Sequence, residues 1–159
     1  METKLCTKCK KVKPVSEFPV YNGKINSHCF QCKRDYNAKY RKTPAGIYQN
    51  IKSGSKFYGH ICSITQDEFI DWYEAQEKKC SYCDLPENLL EPFLSQYTSR
   101  FMRFTVDCIV PSLGYAVGNI TIACDKCNST KNNLFTFEEM REIAQKYIKP
   151  KWMKLVEQP

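Results

Sequence analysis

Residues 104–133 read FTVDCIVPSLGYAVGNITIACDKCNSTKNN, and this stretch decides the fold. Two β-rich runs, RFTVDCI (103–109) and NITIAC (119–124), flank the loop VPSLGYAVG (110–118). The loop carries one proline and two glycines and joins the two runs. A short helix is expected to start near Cys127. The order is therefore strand, loop, strand, helix, with a Cys-x-x-Cys pair at its base.

That pair belongs to a larger pattern. The chain has 159 residues and ten cysteines, eight of which fall in four Cys-x-x-Cys pairs: Cys6/Cys9, Cys29/Cys32, Cys80/Cys83 and Cys124/Cys127. Cys62 and Cys108 are left over. The opening METKLCTKCKKVK is polar, so no secretory signal is expected. No run approaches the ~20 apolar residues that span a bilayer, so no membrane partner is expected. The expected compartment is a reducing cytoplasm. There paired cysteines read as metal ligands rather than disulfides. Zinc takes four soft ligands in a tetrahedron, and one Cys-x-x-Cys turn supplies two of them. Cys6, Cys9, Cys29 and Cys32 form one expected structural zinc site. Cys80, Cys83, Cys124 and Cys127 form the second, around an inserted sub-structure. The first segment is too short to bury an adequate core, so metal must supply much of its folding energy.

Charge separates the same two regions. The net charge is +7, but residues 1–60 hold 13 Lys and Arg against 3 acids (+10), whereas residues 61–159 hold 11 against 14 (−3). A basic first third fits a polyanionic partner. Directly after Cys32 comes KRDYNAKYRK, in which Lys33, Arg34, Lys39, Arg41 and Lys42 surround Tyr36 and Tyr40. The tyrosines are four residues apart and share one helical face. A basic helix leaving a zinc knuckle suits phosphate contacts. Thr43-Pro44-Ala45-Gly46 then breaks it. Two further helices announce themselves by capping boxes, Thr65 with Glu68 and Thr136 with Glu139. The first carries Phe69, Trp72, Tyr73 and Gln76 at helical spacing. The second carries Phe137, Met140, Ile143, Ala144 and Tyr147, and Pro150 is expected to stop it.

These residues resemble the HNH nuclease superfamily, the ββα-metal fold. Asp107-Cys108-Ile109-Val110-Pro111, a central Asn119, and Cys124-Asp125-Lys126-Cys127-Asn128 with Lys131 follow that family's motif. The wider layout resembles small phage-type HNH endonucleases and rare-cutting HNH restriction enzymes with two four-cysteine zinc sites. The resemblance implies a metal-dependent DNA endonuclease or nickase acting on double-stranded DNA. It implies one catalytic Mg²⁺ or Mn²⁺ held by Asp107 and Asn128, beside two structural Zn²⁺. Asn119 falls within the active-site motif, where it is expected to pin the loop rather than touch substrate. His60 and Tyr73 match the upstream histidine and tyrosine of one branch. Each has a plainer role open to it: Tyr73 as core, His60 as a loop residue, Lys131 as a solvated helix residue. Arg100, Arg103 and Lys131 join the basic helix as candidate DNA contacts.

Cys108 departs from the motif, which carries His or Arg there. A thiol is a poor base and no phosphate clamp. The base then lies elsewhere, at His60 or Tyr73, or the residue was substituted to disable cleavage, or the chain is a catalytically silent zinc-containing DNA-binding protein. A palindromic target would need a homodimer, with Trp152 and Met153 as one face. The expected architecture is α+β: a four-cysteine zinc element plus basic helix over 1–43, a linker or active-site loop over 44–64, and a zinc-stabilised ββα-metal, treble-clef-like nuclease domain over 65–159.

Overall fold

A computed structural model describes residues 2–97 and 103–157. The chain divides into two compact units, Met1–Gly46 and Ile47–Pro159. In the first, strands β1 (Thr3–Leu5) and β2 (Val12–Pro14) pair antiparallel, as do β3 (Val20–Tyr21) and β4 (Lys24–Ile25). Helix α1 (Phe30–Tyr40) follows. The buried core of this unit is Cys6, Phe18 and Cys29, with Cys9 and Cys32 packed against it. Four of those five residues are the predicted ligands, so little apolar packing is left to hold the unit together.

Helix α2 (Pro44–Tyr58) occupies most of the segment expected to be a loop. Pro44 carries a preset helical φ at the start, and the Thr43 hydroxyl accepts the Gly46 N–H at 3.1 Å. Ile47, Tyr48, Ile51 and Ser55 then turn inward at helical spacing. The break before Pro44 is real, but it separates two helices. Residues 59–64 make the connecting loop, and α3 (Gln66–Ala75) starts at the Thr65/Glu68 capping box, whose reciprocal bonds are both present.

The core of the second unit gathers Phe69 and Tyr73 of α3, Leu90, Phe93 and Leu94 of α4 (Leu90–Leu94), and the inner faces of β5 (Thr105–Cys108) and β6 (Ile120–Ala123). The two strands pair antiparallel with Asp107 opposite Thr121 and Cys108 opposite Ile120. Helix α5 (Asp125–Lys131) leaves β6 directly, completing the strand–strand–helix order. Helix α6 (Phe137–Ile143) begins at the second capping box. Pro150 does not end the helical run. A π turn over Ala144–Ile148 bonds the Lys149 N–H to the Ala144 carbonyl, five residues back. Helix α7 (Lys149–Glu157) follows without a break and carries the proline as its second residue, directly after the π turn. Trp152, partly buried, donates its indole N–H to the Cys83 carbonyl at 3.0 Å and packs on the core. No helix among the described residues is long and apolar enough to cross a membrane.

Candidate active site

The eight paired cysteines converge as two sets. In each, the four Sγ atoms lie within 4.8 Å of one another. Cys80, Cys83, Cys124 and Cys127 are all buried, and a closed four-thiol cluster of this kind suits a structural Zn²⁺ with no open coordination position.

Beside the second cluster lies a cleft of about 740 Å³, lined among others by His60, Thr105, Asp107, Cys108, Tyr115 and Asn128. Asp107 reaches it from the end of β5 and Asn128 from the second turn of α5. The register explains the meeting: Thr105 and Asp107 share one face of β5, and Asn128 donates Nδ2 to the Thr105 hydroxyl at 3.0 Å. That bond turns the amide so that its oxygen remains to accept or ligate. The carboxylate of Asp107 and the amide oxygen of Asn128 are hard oxygen donors on the wall of this cleft. They fit Mg²⁺ or Mn²⁺, which keep several waters and are bound through few protein ligands.

Asp107 is only 7% exposed. Burial raises its carboxyl above the ordinary range, opposed by the Tyr82 hydroxyl and the Lys131 ammonium. Tyr82 donates to Oδ2 at 2.5 Å, and Lys131 Nζ lies 3.2 Å from the same oxygen. Lys131 is fully buried and also donates to the Cys108 carbonyl at 2.7 Å. This corrects its expected role: an ammonium enclosed by protein and paired with Asp107 is no DNA contact. Cys108 sits on the cleft wall with its thiol pushed up to about 12, by burial first and then by the Asp107 charge. It is a neutral thiol at ordinary pH, neither base nor cation.

His60 lines the cleft and is exposed, its ring 6.2 Å from that of Tyr58. Tyr73 is not among the lining residues. It is buried against Phe69 (5.8 Å between ring centroids) under the Lys78 ammonium, and its hydroxyl is raised first by burial and then by Glu87. Asn119 is 7% exposed and also off the cleft wall. It accepts from the Val110 N–H (3.0 Å) and donates to the carbonyls of Val110 (2.9 Å) and Gly114 (2.7 Å), stapling the loop between the strands.

The basic helix α1 buries none of its residues, and Tyr36 and Tyr40 stack at 6.3 Å between ring centroids. Arg34, Lys39, Arg41 and Lys42 are exposed, while Lys33 lies 4.0 Å above the Tyr21 ring. Arg103 donates to the Phe104 carbonyl, and Arg100 lies outside the described residues. Sequence reasoning missed Tyr82 and Tyr115. The first hides at the x position of a Cys-x-x-Cys turn. The second pairs as a β-bridge with Cys62, a long-range contact with no local pattern.

No protein-family model matches this sequence, and no curated protein does. The structure is similar to that of PacI, described as a rare-cutting HNH restriction endonuclease with an extraordinary mechanism of DNA perturbation. The match has a TM-score of 0.61 at 23% identity and covers 95% of this chain and 96% of that one. Strand–strand–helix order, two four-cysteine clusters and this end-to-end likeness agree: the chain has the fold of an HNH endonuclease.

Proposed function

We propose that the protein is a metal-dependent DNA endonuclease or nickase that hydrolyses phosphodiester bonds of double-stranded DNA in the cleft around Asp107. The observation that supports this best is the meeting of Asp107, Asn128 and His60 on one cleft in a fold shared with an HNH restriction enzyme. Asp107 and Asn128 would hold one Mg²⁺ or Mn²⁺, and the bound cation would supply Lewis-acid stabilisation of charge on the scissile phosphate. His60 is the candidate base, since it faces the cleft and is open to solvent, whereas Tyr73 is enclosed. Asn119 keeps the loop that carries Val110 and Gly114 in place. Zinc in the two cysteine clusters would keep the frame rigid. The exposed cations Arg34 and Lys39 of α1, with Arg41 and Lys42 just after it, would contact phosphates, and log affinity should then fall with log salt by about 0.9 per phosphate neutralised. A palindromic target would require two copies of the chain.

The test is supercoiled plasmid with Mg²⁺ or Mn²⁺. Nicked or linear product that disappears with Asp107→Ala and falls about 10²–10⁴-fold with His60→Ala supports the reading. Cutting that survives Asp107→Ala refutes it. A second reading, a silent zinc-containing DNA-binding protein, is favoured by Cys108, whose neutral thiol replaces a motif His or Arg. Cutting only after Cys108→Arg or Cys108→His would establish it, with salt-dependent DNA binding retained throughout.

A further inference from the structure

Asp107 is expected to serve as a metal ligand, yet one of its oxygens is already taken. The phenol of Tyr82 donates to Oδ2 at 2.5 Å, and the Lys131 ammonium lies 3.2 Å from that same atom. A carboxylate on a single-bonded stem turns about a broad, roughly two-fold torsion. Two donors converging on one oxygen stop that rotation and assign the two oxygens different work.

Both donors are themselves firmly seated. Tyr82 is the residue before Cys83, inside the Cys80/Cys83 turn. It is fully buried, its ring centroid is 5.0 Å from that of Phe137, and its carbonyl accepts the Gln145 amide at 2.7 Å. The neighbouring Ser81 N–H bonds the Ile122 carbonyl on β6 at 2.9 Å. Lys131 ends α5, four residues beyond Cys127, and its second bond holds the backbone of the residue after Asp107. Each donor therefore hangs from one half of the second four-cysteine cluster: Tyr82 from the Cys80/Cys83 half, Lys131 from the Cys124/Cys127 half. Stability alone does not explain the pair, because buried ion pairs contribute little net stability relative to apolar replacements.

We infer that Tyr82 and Lys131 are positioning residues that clasp Oδ2 of Asp107, so that Oδ1 is presented to the cleft as a fixed single-oxygen ligand for a divalent cation. The clasp makes the cysteine cluster the ruler against which the cleft ligand is set. This inference rests on the proposed metal-binding role of Asp107. Partners of this kind, which orient a ligand without touching the metal, typically change metal affinity about 10–100-fold when removed.

The experiment is Mn²⁺ titration of the whole zinc-loaded protein followed by electron paramagnetic resonance, with no DNA and no turnover. Zinc content and thermal midpoint are measured in parallel. Tyr82→Phe removes one hydroxyl and keeps the ring. The expected result is unchanged zinc content with Mn²⁺ affinity lowered 10-fold or more, while Asp107→Ala abolishes Mn²⁺ binding. Wild-type affinity in Tyr82→Phe overturns the inference and leaves the metal role of Asp107 standing. Absence of Asp107-dependent Mn²⁺ binding in the wild type overturns both. Should Tyr82→Phe lose zinc, Lys131→Gln and Lys131→Leu replace it. The two variants have equal charge and differ in having a donor. Weaker Mn²⁺ binding by the leucine variant than by the glutamine variant supports the clasp, and equal binding overturns it.

Discussion

Replacing Asn119 by alanine removes three hydrogen bonds at one stroke: Val110 N–H to Oδ1, and Nδ2 to the carbonyls of Val110 and Gly114. Each bond contributes about 0.5–1.5 kcal/mol net. Three of them, at a position 7% exposed, sum to a loss of about 3 kcal/mol. For a unit of this size that corresponds to roughly 10 °C in thermal midpoint. Denaturant unfolding of Asn119→Ala against wild type gives the energy, and amide exchange at Val110 reports the loop directly. Asn119→Asp adds a sign test. At neutral pH its carboxylate faces two carbonyl oxygens, so its folded-state pKa must lie above that of the unfolded chain. The variant should then lose stability as pH rises above about 4 and regain part of it in acid. A cost below about 1 kcal/mol for Asn119→Ala, or unchanged exchange at Val110, would refute the staple.

Three further outcomes are expected. Gly114→Ala should destabilise by more than about 2 kcal/mol, measured by the same unfolding assay, because φ is +65° and a Cβ would clash with the Ile61 carbonyl oxygen. Thr65→Ala and Thr136→Ala should each cost about 1 kcal/mol. Glu68 and Glu139 are held below the usual carboxylate range, first by the cap backbone N–H and then by the cap hydroxyl. The contribution of each box is therefore full above about pH 4.3 and lost as pH falls through the lowered value, which calorimetry across pH 3–7 reads out. If the first cluster holds zinc, a chelator should erase amide protection across β1–β4, since Phe18 is the one large apolar side chain in that cysteine-lined core among the described residues.

Much of this architecture was legible because its signals are local. Cys-x-x-Cys spacing encodes a knuckle within four residues, and a capping box encodes a helix start within four. The order of β5, loop, β6 and α5 followed from two β-rich runs around a Pro/Gly loop, and the structure pairs the two strands antiparallel. What resisted reading was set by tertiary surroundings. Lys131 looks like a solvated helix residue until Asp107 and the Cys108 carbonyl close over it. Pro150 reads as a stop, yet the helical run continues through it directly after the π turn. Residues 44–58 read as a linker because Thr-Pro-Ala-Gly is a strong local break signal, whereas the inward spacing of Ile47, Tyr48, Ile51 and Ser55 includes a serine and only three apolar residues. Tyr73 had two compatible readings, and periodicity prevailed: it packs where the stripe of α3 puts it.

Helix α5 is seven residues long, yet Cys127, Asn128 and Lys131 lie on it and Cys124 caps it. Successive residues of an α-helix are rotated by about 100°. Inserting or deleting one residue between Cys127 and Lys131 would swing the lysine off Asp107, and a change before Cys127 would break the thiol set as well. The two sites share one reading frame of side-chain directions. A single substitution along α5 disturbs one contact at a time, whereas a shift of its sequence by one residue would displace all of them together.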